Sequence, residues 1–296
     1  MSKVLKIILI ILACLIPVGI IIFALGVFMG GKAGWSLELG KGGRAFSSEI
    51  SEEAQDLDEF DYLEVDVSSV DVYLMQGDSF KIDYKTRAGH EPEISQEGRN
   101  LTVKQPSKGF VIFDLGFSQD LDVYTITVPE GKSIKVLVRS SSGDIEIDSL
   151  NVYASIDTSS GDILFNDTEG ERLEATTSSG EIEGDKVKNK NCVFTTSSGD
   201  IGMLRMFSDE LQCRASSGDI GINNSEIGRI SCSTSSGEVE MDLQGQSEDY
   251  SWDIRTSSGD IVVNGVEHKK EYTSGGSTVK SISAETSSGD IDVTMK

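Results

Sequence analysis

An acidic residue follows the glycine of an S-S-G triplet eight times in this chain, at Asp144, Asp162, Glu181, Asp200, Asp219, Glu238, Asp260 and Asp290. Carboxylates that recur in one register can do two kinds of chemistry. They can gather a hard divalent cation, which takes oxygen ligands, or a pair of them can act as acid and base on a glycosidic bond. Other reactive groups are sparse. The two histidines stand in loop-like surroundings, His90 in "RAGHEPE" and His268 in "GVEHKKE". Cys213 and Cys232 share one repeat position, Cys192 lies at a neighbouring position one repeat earlier, and no pair has the C-x-x-C spacing of a metal site. The three N-x-S/T sequences (Asn100, Asn166, Asn223) read as ordinary polar segments.

The elements that carry these acids are set by the glycines before them. Gly143, Gly161, Gly180, Gly199, Gly218, Gly237, Gly259 and Gly289 are spaced by 18, 19, 19, 19, 19, 22 and 30 residues. A period near twenty is the mark of a stacked repeat. Two and four residues after each glycine, and five and seven before it, the residues are almost all apolar. In one copy these are Ile201, Met203, Phe194 and Cys192. The intervening positions are polar, as at Arg139, Asp157, Arg214 and Arg255. Alternation of period two on both sides of the glycine describes two short strands with one face buried. The fold expected is all-β: a parallel β-solenoid of ~19-residue rungs, each strand–corner–strand–loop, stacked at about 4.8 Å.

Inward parity is odd before the glycine and even after it, so the "SSGD" corner must reverse it. Glycine can take the positive φ such a corner needs, and short Ser and Asp side chains can cap turn N–H groups. The corner is therefore structural first, and "SSVDVYL" looks like a degenerate version with Val70 in the glycine's place. Stacked acids about 5 Å apart repel by roughly 0.9 kcal/mol in bulk water, which needs no cation to be tolerable. Calcium rolls have G-G-x-G-x-D at a nine-residue period, which this chain lacks. The expectation is weak cation condensation along an outer acidic column, with no dedicated metal site and no cofactor. Catalysis needs a local departure from the repeat, and no one carboxylate pair stands apart from the others; no catalytic residue is assigned. The cysteines are either small core hydrophobes or, for Cys213 and Cys232 in an exported protein, a cross-rung disulfide.

The chain has 26 Lys and Arg against 49 Asp and Glu, a formal charge of −23, which excludes nucleic acid as a partner. Residues 1–6 read as a short cytoplasmic tail and residues 7–31, "IILIILACLIPVGIIIFALGVFMGG", as a transmembrane helix, being 25 residues without a charge. Residues 32–56 are rich in Gly, Ser and Glu and read as a flexible tether. A β-solenoid domain covers 57–296, irregular over 57–135 and regular over 136–296. Without Lys3 and Lys6 the exported part keeps 24 basic and 49 acidic residues, a charge of −25. The long last spacing, with "EHKKEYTSGGSTVK", reads as an excursion over the open end of the stack.

The segment "ITVPEGKSIKVLVRSSSGDIEI" followed by repeated "TSSGDI" resembles the DUF4097 β-strand-repeat family of adhesin-like proteins over roughly residues 60–296. An N-terminal anchor before such a domain is similar to the LiaG-type proteins of Gram-positive envelope-stress operons. The resemblance implies a right-handed parallel solenoid at the cell surface, without catalytic residues. The function expected is a membrane-anchored, extracytoplasmic, non-catalytic binding or envelope-scaffold module, held by residues 7–31, with an envelope glycan or protein as partner. The alternatives are a carbohydrate-active enzyme on a β-helix and an accessory or sensor of envelope stress acting through the membrane helix.

Overall fold

The computed structural model describes residues 50–87, 90–106, 122–275 and 279–296, together with the backbone of 36–38 and 111–114. The apolar run 7–31 and the tail before it lie outside the described residues, among which no helix is long and apolar enough to cross a membrane.

In chain order the first strands are β1 (Ser36–Glu38), β2 (Ile50–Asp56), β3 (Tyr62–Asp66), β4 (Val70–Gly77), β5 (Lys81–Arg87), β6 (Glu93–Glu97), β7 (Asn100–Lys104), β8 (Val111–Asp114) and β9 (Asp122–Pro129). The regular rungs then pair β10 (Ser133–Arg139) with β11 (Ile145–Asp148), and β12 (Asn151–Asp157) with β13 (Ile163–Asn166). Next come β14 (Glu169–Thr176) with β15 (Ile182–Asp185), and β16 (Lys188–Thr195) with β17 (Ile201–Leu204). β18 (Phe207–Arg214) precedes β19 (Ile220–Ser233), which runs unbroken from one rung into the next, where β20 (Val239–Leu243) follows. The chain ends with β21 (Tyr250–Thr256), β22 (Ile261–Val263), β23 (Val266–His268), β24 (Glu271–Ser274), β25 (Lys280–Thr286) and β26 (Ile291–Met295).

β1 and β8 form a separate antiparallel pair. All the rest belongs to one unit, Ile50–Pro106 with Leu121–Lys296. Within it, the strands before the corners stack as β6-β7-β3-β10-β12-β14-β16-β18-β19-β25-β21-β24. The strands after the corners stack as β2-β5-β9-β4-β11-β13-β15-β17-β19-β20-β26-β22-β23. From β7 to β21, and from β9 to β22, the ladders are parallel and keep the register the period requires, apart from shifts after Asn151 in β12 and after Ile222 in β19. Every position assigned inward is buried, from Val136 at 1% exposure to Val293 at 0%. Val70 lies under Gly143, because Val72 pairs with Ile145, so the degenerate corner is a true rung.

The tether reading does not hold for residues 50–56: they form β2, paired antiparallel with β5 over its whole length. Six of its seven residues are exposed, so backbone hydrogen bonds rather than burial hold it, a bond pattern that polar composition conceals.

The rungs also do not stack in chain order. The C-terminal strands β25 and β26 lie between the Gly237 rung and the Gly259 rung, so the spatial order of the last corners is Gly237, Gly289, Gly259. β23 and β24 then pair antiparallel on the outermost rung. The other end repeats this plan: β7 and β9 stack in parallel on β3 and β4 and are covered by antiparallel β6 and β5. Antiparallel cover at both ends blunts the edges on which a parallel stack would otherwise keep growing.

Candidate functional site

The corner explains why these residue types recur. A Cβ on Gly199 would stand 1.8 Å from the carbonyl oxygen of Gly180, and the same approach of 1.8–2.0 Å recurs at all eight corners. None of the eight has positive φ. The requirement for glycine is therefore the absence of a side chain between rungs, a correction to the left-handed turn expected from the sequence. The left-handed residues sit at a second corner six positions later, at Ser149 (φ 58), Asp167 (φ 47), Lys186 (φ 55), Arg205 (φ 55) and Asn224 (φ 52).

The threonine three residues before the glycine works on both sides of its rung. Thr196 Oγ1 accepts from Gly199 N–H at 3.1 Å and donates to the Gly180 carbonyl at 3.2 Å. Thr177 and Thr234 do the same. The serines contribute through their backbones, as where Ser198 N–H donates to the Ser178 carbonyl at 3.0 Å.

The acidic column carries the N–H capping expected of short Asp side chains, but from rung to rung rather than within one turn. An aspartate carboxylate accepts the backbone N–H of the acid in the next rung. Asp162 N–H donates to Asp144 Oδ1 at 2.9 Å, Glu181 to Asp162 at 2.8 Å, Asp219 to Asp200 at 2.8 Å, and Glu238 to Asp219 at 2.7 Å. Asp260 N–H donates likewise to Asp290 Oδ1 at 2.8 Å, following the spatial order of the rungs. Among the described hydrogen bonds Glu181 and Glu238 make no such link: their extra methylene carries the oxygens past the neighbouring N–H. The column also gains Asp71, 6% exposed, whose Oδ1 accepts from Asp144 N–H at 3.0 Å. Burial holds the Asp71 carboxyl above its ordinary value, and the charges of Asp144 and Asp122 add to this. Glu181 is raised by partial desolvation and by Asp162 and Asp200. The acids are thus parts of the rung-to-rung framework. No group of three or more His, Cys, Asp or Glu placed to hold a metal occurs among the described residues.

His90, one of the two histidines, is brought to an end of the stack beside Asp122, which is in register with Val70. Asp122 accepts from Arg87 N–H at 2.9 Å and from the Arg87 guanidinium at 3.1 Å, with His90 Nδ1 at 3.5 Å. Burial alone would raise this carboxyl; the bonds from His90 and Arg87 outweigh it and bring it down to about 2. His268 lies at the opposite end, stacked on Tyr272 with ring centroids 4.4 Å apart. The structure therefore separates the histidines. Cys192, Cys213 and Cys232 are buried free thiols. Cys213 and Cys232 face each other across adjacent strands. The hydrogen bond to Cys232 and burial push the Cys213 thiol well up, and burial raises Cys192 to about 12. They are core residues, and the disulfide alternative is not realised.

What remains outward is two unlike faces. Strands β11, β13, β15, β17, β20, β22 and β26, with residues 220–223, contain no Lys or Arg, while Glu146, Asp148, Glu183, Asp185, Glu240, Asp242 and Asp292 point out from them. The other sheet carries cross-rung ion pairs, Arg139 with Glu64 (3.1 Å), Lys190 with Glu171 (2.7 Å) and Arg229 with Glu210 (3.0 Å). Three surface grooves of about 410, 460 and 360 Å³ lie around Ser149 and Asp167, around Tyr62 and Asn100, and around Glu53 and Tyr84.

This fold is shared by known proteins. The Toastrack DUF4097 family model matches residues 60–294, and the chain belongs to that family. Among solved structures it is similar to a "putative adhesin" from Parabacteroides merdae, with a TM-score of 0.53, 13% identity, and coverage of 83% of this chain and 96% of that one. It is also similar to a "putative lipid binding protein" from Parabacteroides distasonis, with a TM-score of 0.52, 18% identity, and coverage of 83% and 97%. At these identities the likeness is one of fold. No functionally curated protein matches the chain.

Proposed function

We propose that the protein is a membrane-anchored, extracytoplasmic binding module of the cell envelope of a Gram-positive bacterium, non-catalytic, that displays rigid sheet faces to an envelope glycan or protein. The observation that carries this reading is where the polar chemistry is spent. The corner carboxylates and threonines hold rung to rung, while the remaining charge is laid out on flat outer faces rather than gathered in a cleft. Family membership and the adhesin-like fold neighbour support it. The uncharged run 7–31 supports the anchor, and its placement beside an envelope-stress system rests on the resemblance to LiaG-type proteins.

Two measurements test it. An Asp292→Cys variant of the full chain should be labelled by a membrane-impermeant maleimide on intact cells; labelling only after lysis would place the body inside. The purified chain should be retained on envelope glycan or envelope protein without releasing soluble fragments. Release that stops on changing a single carboxylate would make it an enzyme.

A further inference from the structure

The out-of-order last rung has a counterpart in the chemistry of its seat. The Gly289 rung sits on the Gly237 rung with its glycine Cβ position 1.9 Å from the Gly237 carbonyl oxygen, and the Gly259 rung sits on the Gly289 rung with the same 1.9 Å. Thr286 Oγ1 donates to Gly237 O at 3.0 Å, and Thr256 Oγ1 donates to Gly289 O at 3.0 Å. In register, Ile291 and Val293 lie on Val239 and Met241, and Ile261 and Val263 lie on Ile291 and Val293. At and after the corner the two rungs present the same glycine, threonine and apolar pair; before it they differ, Ile282 and Ala284 in one against Trp252 and Ile254 in the other. The corner half of the seat on Gly237 therefore suits both rungs.

We infer that the C-terminal rung, Lys280 to Lys296, is a removable insert, and that its seat takes the same rung from a second copy of this chain. If the insert leaves, the Gly259 rung can drop onto the Gly237 rung and restore a Gly-on-Gly corner. One rung interface is then lost rather than two. A swapped pair makes every contact that two unswapped chains make, so exchange is set by concentration and by the opening of the end layer, β21 to β24. The partner is this chain itself, and the recognition is main-chain pairing on both sides of an in-register strand pair. The inference stands apart from the envelope-binding reading, since it needs neither anchor nor ligand.

The test uses full chains in detergent with Cys14 replaced by serine. Glu240 and Asp292 are register partners on the outer face of β20 and β26, both exposed. The double variant Glu240→Cys/Asp292→Cys should be bridged by a short bismaleimide within one chain, which verifies the seat. Chains carrying Glu240→Cys and chains carrying Asp292→Cys are then refolded together from denaturant and treated alike. The expected result is a bridged heterodimer that increases with protein concentration and is lacking when Ser149→Cys replaces Asp292→Cys. A double variant that bridges as a monomer while the mixture gives no heterodimer at any concentration would overturn the exchange. A double variant that does not bridge would overturn the seat itself.

Discussion

Replacing Asp200 separates a carboxylate that holds a rung from one that only decorates it. Asp200 Oδ1 accepts the Asp219 N–H at 2.8 Å. Alanine removes that bond, worth about 1.5 kcal/mol for a charged acceptor. It also removes repulsion from Glu181 and Asp219, each about 0.9 kcal/mol at the ~4.8 Å rung spacing in bulk water and roughly half that after screening at physiological salt. The net loss is then about 0.5–1 kcal/mol, or roughly 1–4 °C in the melting midpoint of a domain this size. Asparagine keeps an oxygen in place and sheds the charge, so Asp200→Asn should melt with or slightly above the parent. High salt removes the repulsion from the parent, so it should widen the Ala deficit and erase any Asn gain, while the gap between Asn and Ala stays fixed. Thermal melts of the three proteins at low and high salt decide it. Equal midpoints for Ala and Asn, both above the parent, would mean that the column is only a line of repelling charges. The converse change, Glu181→Asp, should supply Asp200 N–H with its missing acceptor and stabilise by about 0.5–1 kcal/mol.

Other expectations follow from single contacts. Gly199→Ala puts a methyl 1.8 Å from a backbone oxygen and should cost about 3 kcal/mol or more, while Gly202→Thr, whose Cβ would meet nothing nearer than the Glu183 Cγ at 4.0 Å, should be neutral or stabilising by about 0.5 kcal/mol; denaturant midpoints compare them. Lys186 holds φ 55, so Lys186→Gly should stabilise by about 1 kcal/mol, and a loss instead would mean that its side chain matters more than its backbone. The Asp122 carboxyl titrates near 2 in the fold and near ~3.9 unfolded. Its contribution, about 2 kcal/mol, is therefore present above pH ~4 and lost as pH falls towards 2. Asp71, raised by burial, acts in the opposite sense, costing stability at neutral pH and ceasing to do so once protonated. Asp122→Asn should flatten the acid limb of stability against pH between about 4 and 2, and an unchanged limb would count against the Arg87–His90 cluster. Native chains should leave Cys192, Cys213 and Cys232 unlabelled by a thiol reagent until unfolding exposes them.

The rungs were legible because each column tests itself against the next. Ile201, Met203, Phe194 and Cys192 repeat the burial of their counterparts in every copy. Even a corner with Val70 in place of glycine keeps its flanking alternation, and the structure seats it under Gly143. The order of the last two rungs was not legible, because Gly259 and Gly289 carry the same corner and either satisfies the pattern. The second corner was hidden by the variety of Ser149, Asp167, Lys186, Arg205 and Asn224, which share a backbone conformation but no side-chain chemistry. β2 was hidden because "ISEEAQD" pairs through its main chain and buries almost nothing. The aspartates were legible as acceptors of backbone N–H groups; that the bond runs to the next rung was not, and its one signal is the preference for aspartate over glutamate, since reach and not charge separates the two.

The most direct test of the central claim, that the repeated acid belongs to the framework and is not an ion site, is the thermal midpoint of the full chain in detergent. It is measured with millimolar Ca²⁺ and with chelator at matched ionic strength. The structure predicts the same midpoint in both. A saturable rise with Ca²⁺ that survives high salt and disappears in Asp200→Asn would contradict it.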